Sequence, residues 1–186
     1  MQRRKLLVIG AGLLSMSVPG AFAKDKAAEQ AEIRSKAAQA LEDFYKADSS
    51  LKDAVAKAPG YAVFTTFGLT LGVGGAGGKG IAHDNTSNKD VFMSVAQASA
   101  GLQVGASDTR YLFVFSSPKA LSDFIEKGWD ASGSAGAGAG AGGSAANAGA
   151  GAGGFTGGKQ YTLTKAGLQV GVAVAGLKAW KDKDLN

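Results

Sequence analysis

Apolar residues change their rhythm once along this chain. From Lys24 to Ala58 there is no glycine, and Ala37, Leu41, Phe44, Leu51, Val55 and Ala58 recur at spacings of three, four and seven. Such spacing puts them on one stripe of a helix. Asp48-Ser49-Ser50 interrupts the stripe, Ser50 with Asp53 predicts a cap and a restart, and Pro59-Gly60 ends the helical region. Beyond Gly60 the period drops to two. YAVFTTF, LTLGV, GKGIAH, DVFMSVAQ, GLQVGA and TRYLFVF are short runs separated by glycine or by the turn Asp84 to Asn88. They predict about five to seven antiparallel strands, with Asp108 ending a turn.

Ser116-Ser117-Pro118 then opens a short helix, KALSDFIEKG, whose apolar face is Leu121, Phe124 and Ile125 and whose stop is Gly128. QYTLTKAGLQVGVAVAGLKAW alternates again and should rejoin the sheet. Between them lies SAGAGAGAGGSAANAGAGAGG, which predicts a small-residue strand over 131–140, a turn around 144–147 and a less regular return strand. The fold expected is α+β. N-terminal helices pack on a twisted antiparallel β-sheet or partly closed barrel, with the helices against one side and one short helix inserted between strands.

The first residues read MQRRKLLVIGAGLLSMSVPGAFA, a basic start, an apolar run and a small-residue site. This is the pattern of a cleavable signal peptide, and the general secretory route fits it better than the twin-arginine route. The organisation expected is therefore a signal peptide at 1–23, an amphipathic helical segment at 24–58, a β-rich domain at 59–180 with the Ala/Gly segment 133–154 inside it, and a polar tail at 181–186. There is no cysteine, so neither a lipoprotein anchor nor a disulfide is available. Removing the leader leaves 17 basic and 15 acidic residues and takes the formal net charge from +5 to +2. With no concentrated basic patch, nucleic acid is not an expected partner.

Chemistry is sparse. Gly72, Gly74 and Gly77 satisfy G-x-G-x-x-G, but the next residues are again strand-like and no helix opens there. A P-loop would need glycine at 73 and Ser or Thr at 80, where Val73 and Gly80 stand. His83 is the sole histidine and reads as a surface residue at a strand end, although Asp84 beside it could orient the ring. Arg110 is a conceivable clamp for a phosphate or carboxylate. No nucleophile elbow or paired carboxylate emerges, so neither an enzyme nor a cofactor is expected.

From Pro59 onward PGYAVFTT, GGAGGKGIAHD, SAGLQVGASDTRYLFVFSSPKALSDFI and YTLTKAGLQVGVAVAG occur in order. This succession resembles the SYLF lipid-binding domain family over roughly 56–176. The resemblance implies a domain that binds phosphoinositides or other anionic lipids, helped by a preceding amphipathic helix. The C-terminal LKAWKDKDLN looks unlike the family's usual ending. Candidate headgroup contacts are Lys26, Arg34, Lys36, Lys79, Lys119 and Lys159, and candidate apolar anchors are Phe44, Phe67 and Trp129. The amphipathic stripe itself fits either a core-facing or a membrane-surface helix. The function expected is that of an exported, non-catalytic monomer of the periplasm, peripheral to the outer membrane, engaging a phospholipid or membrane surface. The alternative is a structural or interaction protein of the envelope with a protein partner and no specific lipid.

Overall fold

The computed structural model describes residues 25–131, 157–165, 167–170 and 176–186, with the backbone alone at 68–74 and 98–107. The leader at 1–23 and the Ala/Gly segment, with the strand expected over 131–140 apart from Ala131, lie outside the described residues.

The helical region forms α1 (Lys26–Ala47) and α2 (Ser50–Lys57). Asp25 caps α1 by accepting from the Ala27 N–H. The break falls where the sequence predicts it, but the cap differs. Ser49, not Ser50, occupies the cap position of α2, while the Asp48 carboxylate accepts from both the N–H and the hydroxyl of Ser50. Those two bonds hold the Asp48 carboxyl below its ordinary value.

The expected succession of short strands is in fact two long ones, β1 (Gly60–Asp84) and β2 (Lys89–Phe115), paired antiparallel along nearly their whole length. Asp108 therefore sits inside β2 opposite Phe67 and ends no turn. The turn at 84–88 does form, with the Asp84 carboxylate accepting from the N–H groups of Thr86 and Ser87. Glycine does not cut these strands because the ribbon folds over on itself. Asn85 at its tip returns to the base, donating its N–H to the Pro59 carbonyl at 3.0 Å and its side-chain amide to Val55 and Ala58, each at 2.8 Å. The two halves of β1 consequently meet backbone to backbone. A Cβ on Gly78 would collide with the Thr65 carbonyl oxygen, and one on Gly80 with that of Val63.

Helix α3 (Pro118–Lys127) follows, capped by Ser117 accepting from Ala120 and stopped by Gly128 at φ 72°. Then come β3 (Trp129–Asp130), β4 (Gly158–Thr164), β5 (Gly167–Val170) and β6 (Leu177–Lys181). The second half of β2 pairs with β4, which pairs with β5; the first half of β2 pairs with β6, which pairs with β3. The result is a curled antiparallel sheet in an α+β fold.

Strand alternation gives the sheet two buried faces. Val63, Ile81, Phe92, Leu112, Val114 and Tyr161 pack against Ile33, Ala37, Ala40 and Phe44 of α1 and Leu51 and Val55 of α2. Ala62, Phe64, Ala82, Met93, Tyr111, Phe113 and Phe115 point the other way, towards Leu121 and Phe124 of α3. The helices thus cover both faces, not one side, with α1 and α2 packed on one and α3 on the other. The last residues, a polar tail by sequence, pack against the fold. Leu185 is buried in the first cluster, and Asp182 is buried beneath it.

Candidate functional site

On the α1 face, between α1 and the folded ribbon, a groove of about 370 Å³ opens. Ile33 and Thr66 line its floor, and Phe67, Lys36, Lys79 and Asp108 stand around it. Phe67 is 65% exposed, an unusual position for a phenylalanine.

Lys79 reaches out of β1 into a network that joins four parts of the chain. Its ammonium lies 3.0 Å from Glu29 of α1 and 3.0 Å from Asp182, which also accepts from the Ser94 hydroxyl at 2.7 Å. Burial pulls the Lys79 ammonium down, but its bonds to Asp182 and Glu29 outweigh that and hold it above the ordinary lysine value. For Asp182, burial pushes up, and the bonds from Ser94 and Lys79 bring the carboxyl below its usual range. The other Asp182 oxygen accepts from the N–H groups of Asp184 and Leu185. Asn186 then exchanges two bonds with the Phe92 backbone, while Lys26 and Gln30 donate to the carbonyls of Asn186 and Leu185.

A second network ties α1 to the ribbon near its tip. Asp90 accepts from Arg34 at 2.8 Å and meets the His83 Nδ1 at 2.7 Å. Burial raises the Asp90 carboxyl, and its bonds to His83 and Arg34 more than reverse the effect. The His83 partner is therefore Asp90 across the strand pair, not the neighbouring Asp84. The His83 ring also lies 5.1 Å from that of Tyr61, whose hydroxyl is pushed up to about 12 by burial, then by Tyr45 and Asp90. Arg34 completes the cluster over the Phe92 ring at 4.7 Å. Arg110 faces Asp43 of α1 at 3.6 Å and Asp108 at 3.5 Å, so it is held by carboxylates on both sides.

The predicted contacts are thus sorted by the fold. Lys36, Lys79 and Phe67 come together at the groove, although Lys36 pairs with Glu32. Lys119 and Trp129 border a second groove of about 380 Å³ along α3. There Asp123 holds both Lys119 and Lys127, and those bonds bring its carboxyl to about 2. Trp129 packs edge-on to Phe113 at 5.2 Å. Lys26 and Arg34 belong to the α1 networks above, and Lys159 stands apart on β4. Phe44 is no anchor: it is 0% exposed, because the apolar stripe of α1 faces the sheet. That stripe is core-facing, which removes the membrane-surface alternative for the helix as docked.

Sequence reasoning missed Asp90, Asp182, Asn186 and Trp180. Trp180 is 41% exposed and shares a cross-strand row with Ser94 and Lys79. The alternation in LKAWK was its signal, since Leu177 and Ala179 are buried and Lys178 and Trp180 are not.

Residues 96–186, from the middle of β2 through Asn186, match the protein family described as Ysc84, Las17-binding protein actin regulator. Over this stretch, just under half of its length, the chain is similar to the Ysc84, or SYLF, family. The match includes LKAWKDKDLN, so that ending falls inside the family pattern. The chain is also 28% identical over 163 residues to Beta cell expansion factor A of Aeromonas veronii, an alignment covering 86% of this chain and 60% of that relative. It thus spans less than two thirds of that protein's length. SYLF domains are binding domains, and the geometry here is of grooves and ion-pair networks. No helix among the described residues is long and apolar enough to cross a membrane.

Proposed function

We propose that this protein is an exported, non-catalytic binding protein of the bacterial cell envelope whose ligand is an anionic or phosphorylated lipid surface. The match to the SYLF family supports binding of a lipid- or actin-related kind, and a leader of the secretory pattern favours the lipid over actin. One observation carries the lipid reading. Phe67 stands exposed at the rim of a groove beside Lys36 and Lys79. An apolar ring flanked by lysines suits the boundary between acyl chains and headgroups, where lysine stems lie on apolar surface and their charges reach water.

Glu29, Glu32 and Asp108 outnumber the two lysines at this rim, so the rim itself contributes little attraction for anionic headgroups and the apolar share carries the binding. Cosedimentation of the purified protein with phosphatidylglycerol and with phosphatidylcholine vesicles tests the reading. Preference for the anionic vesicles, weakened by salt, supports it. Failure to sediment with either at low salt overturns it. Fractionation of cells into cytoplasm, periplasm and outer membrane checks the location.

A further inference from the structure

The β1–β2 ribbon carries no Asp, Glu, Lys, Arg or His from Gly68 to Gly78 on one strand, nor from Val91 to Ser107 on the other. By register Gly68 to Gly78 lies opposite Val95 to Ser107, and these parts form the end at which the ribbon folds over. The folded end is therefore uncharged, and charged residues resume at its margins with Lys79 and Asp108.

Two exposed aromatics frame it on the α1 face. Phe67 is the residue just before the uncharged stretch of β1. Trp180 lies two strands from Lys79 in the row Lys79, Ser94, Trp180, a separation of about 10 Å at ordinary strand spacing. Lys79 and Ser94 both bond the same Asp182 oxygen, which fixes the sheet face that the row presents. Helix α1 offers nothing comparable. Its apolar residues Ile33, Ala37, Ala40 and Phe44 are buried, and Glu32, Lys36, Asp43 and Lys46 pair with one another in solvent.

We propose that the folded end of the β1–β2 ribbon, flanked by Phe67 and Trp180, is the part that enters a lipid surface, while α1 stays docked on the sheet. The inference rests on the lipid reading above and adds the element that inserts. An uncharged ribbon whose backbone bonds are satisfied between its own strands can leave water without stranding donors or acceptors. Tryptophan and phenylalanine at its margin match the aromatic level of a bilayer.

The chain has two tryptophans, Trp129 and Trp180, so two variants separate them. Trp129→Phe leaves Trp180 as the reporter, and Trp180→Phe leaves Trp129. Each is mixed with vesicles of phosphatidylglycerol and phosphatidylcholine, the latter brominated near the headgroup end of its acyl chains. The expected result is cosedimentation of both variants, with quenching and a blue shift of Trp180 and no change in Trp129. Phe67→Ser, at an exposed position and without a second carboxylate opposite Asp108, should weaken vesicle binding about tenfold, equivalent to about 1.4 kcal/mol, with little change in melting temperature. Vesicle binding without quenching of Trp180, or with quenching of Trp129 alone, overturns the proposed face and leaves the lipid reading standing. No vesicle binding by any form overturns both.

Discussion

Replacing Phe44 by alanine tests which way α1 faces. Phe44 is fully buried among residues of α1, α2 and the sheet, so truncation removes a whole benzyl group from the core and leaves a cavity. A fully buried phenylalanine contributes roughly 1.5–3 kcal/mol through burial alone, and the cavity brings a typical Phe→Ala loss to about 3–5 kcal/mol. With a urea dependence of about 2 kcal/mol per molar, the unfolding midpoint should fall by roughly 1.5–2.5 M. Trp129, packed against Phe113, supplies the fluorescence signal for the unfolding curve. Phe67→Ala is the control, since an exposed side chain should change stability by no more than about 0.5 kcal/mol. The reasoning is refuted if Phe44→Ala loses less than about 1 kcal/mol while vesicle binding disappears, because Phe44 would then be facing lipid.

Three further expectations follow from the same contacts. Asp90 and Asp182 are both held below the usual carboxylate value in the folded chain, so their contribution is present above an unfolded-state value of about 4 and is lost as pH falls through the lower folded value; melting temperature against pH should show this acid limb, and Asp182→Asn should flatten it. Gly80→Ala should destabilise by about 1–3 kcal/mol or prevent folding, since its methyl group would strike the Val63 carbonyl, and a melting temperature equal to wild type contradicts the ribbon's closure. Leu185→Ala should cost about 2–5 kcal/mol in urea unfolding, whereas a truly loose tail would tolerate it.

The helix stripe, the turn at 84–88 and the capped α3 were legible because each rests on local rules of period, side-chain capping and left-handed glycine. The length of β1 and β2 was not. Glycines at 72, 74, 75, 77 and 78 look like strand breaks when only neighbours in sequence are considered. Their reason is non-local, as Gly78 and Gly80 need no side chain only because Thr65 and Val63 lie against them. The candidate site was legible to a similar degree. Phe67 and Lys79 were found as residue types, but that Lys79 is shared between Glu29 and Asp182 depends on contacts 50 and 103 positions away in the chain. Trp180 went unnoticed because its alternation implied a strand without telling which face would remain uncovered.

The clasp between α1 and the final residues governs when the molecule can finish folding. Lys26 and Gln30 near the start bond to Asn186 and Leu185, and Lys79 completes its network only with Asp182. A chain emerging from a ribosome N-terminus first has α1 long before these partners exist. Contacts of such sequence separation form late, after their loop-closure entropy has been met. Until Asn186 has emerged, α1 lacks its clasp and the Lys79 charge its full pairing, so the last residues made set the moment at which the fold can close.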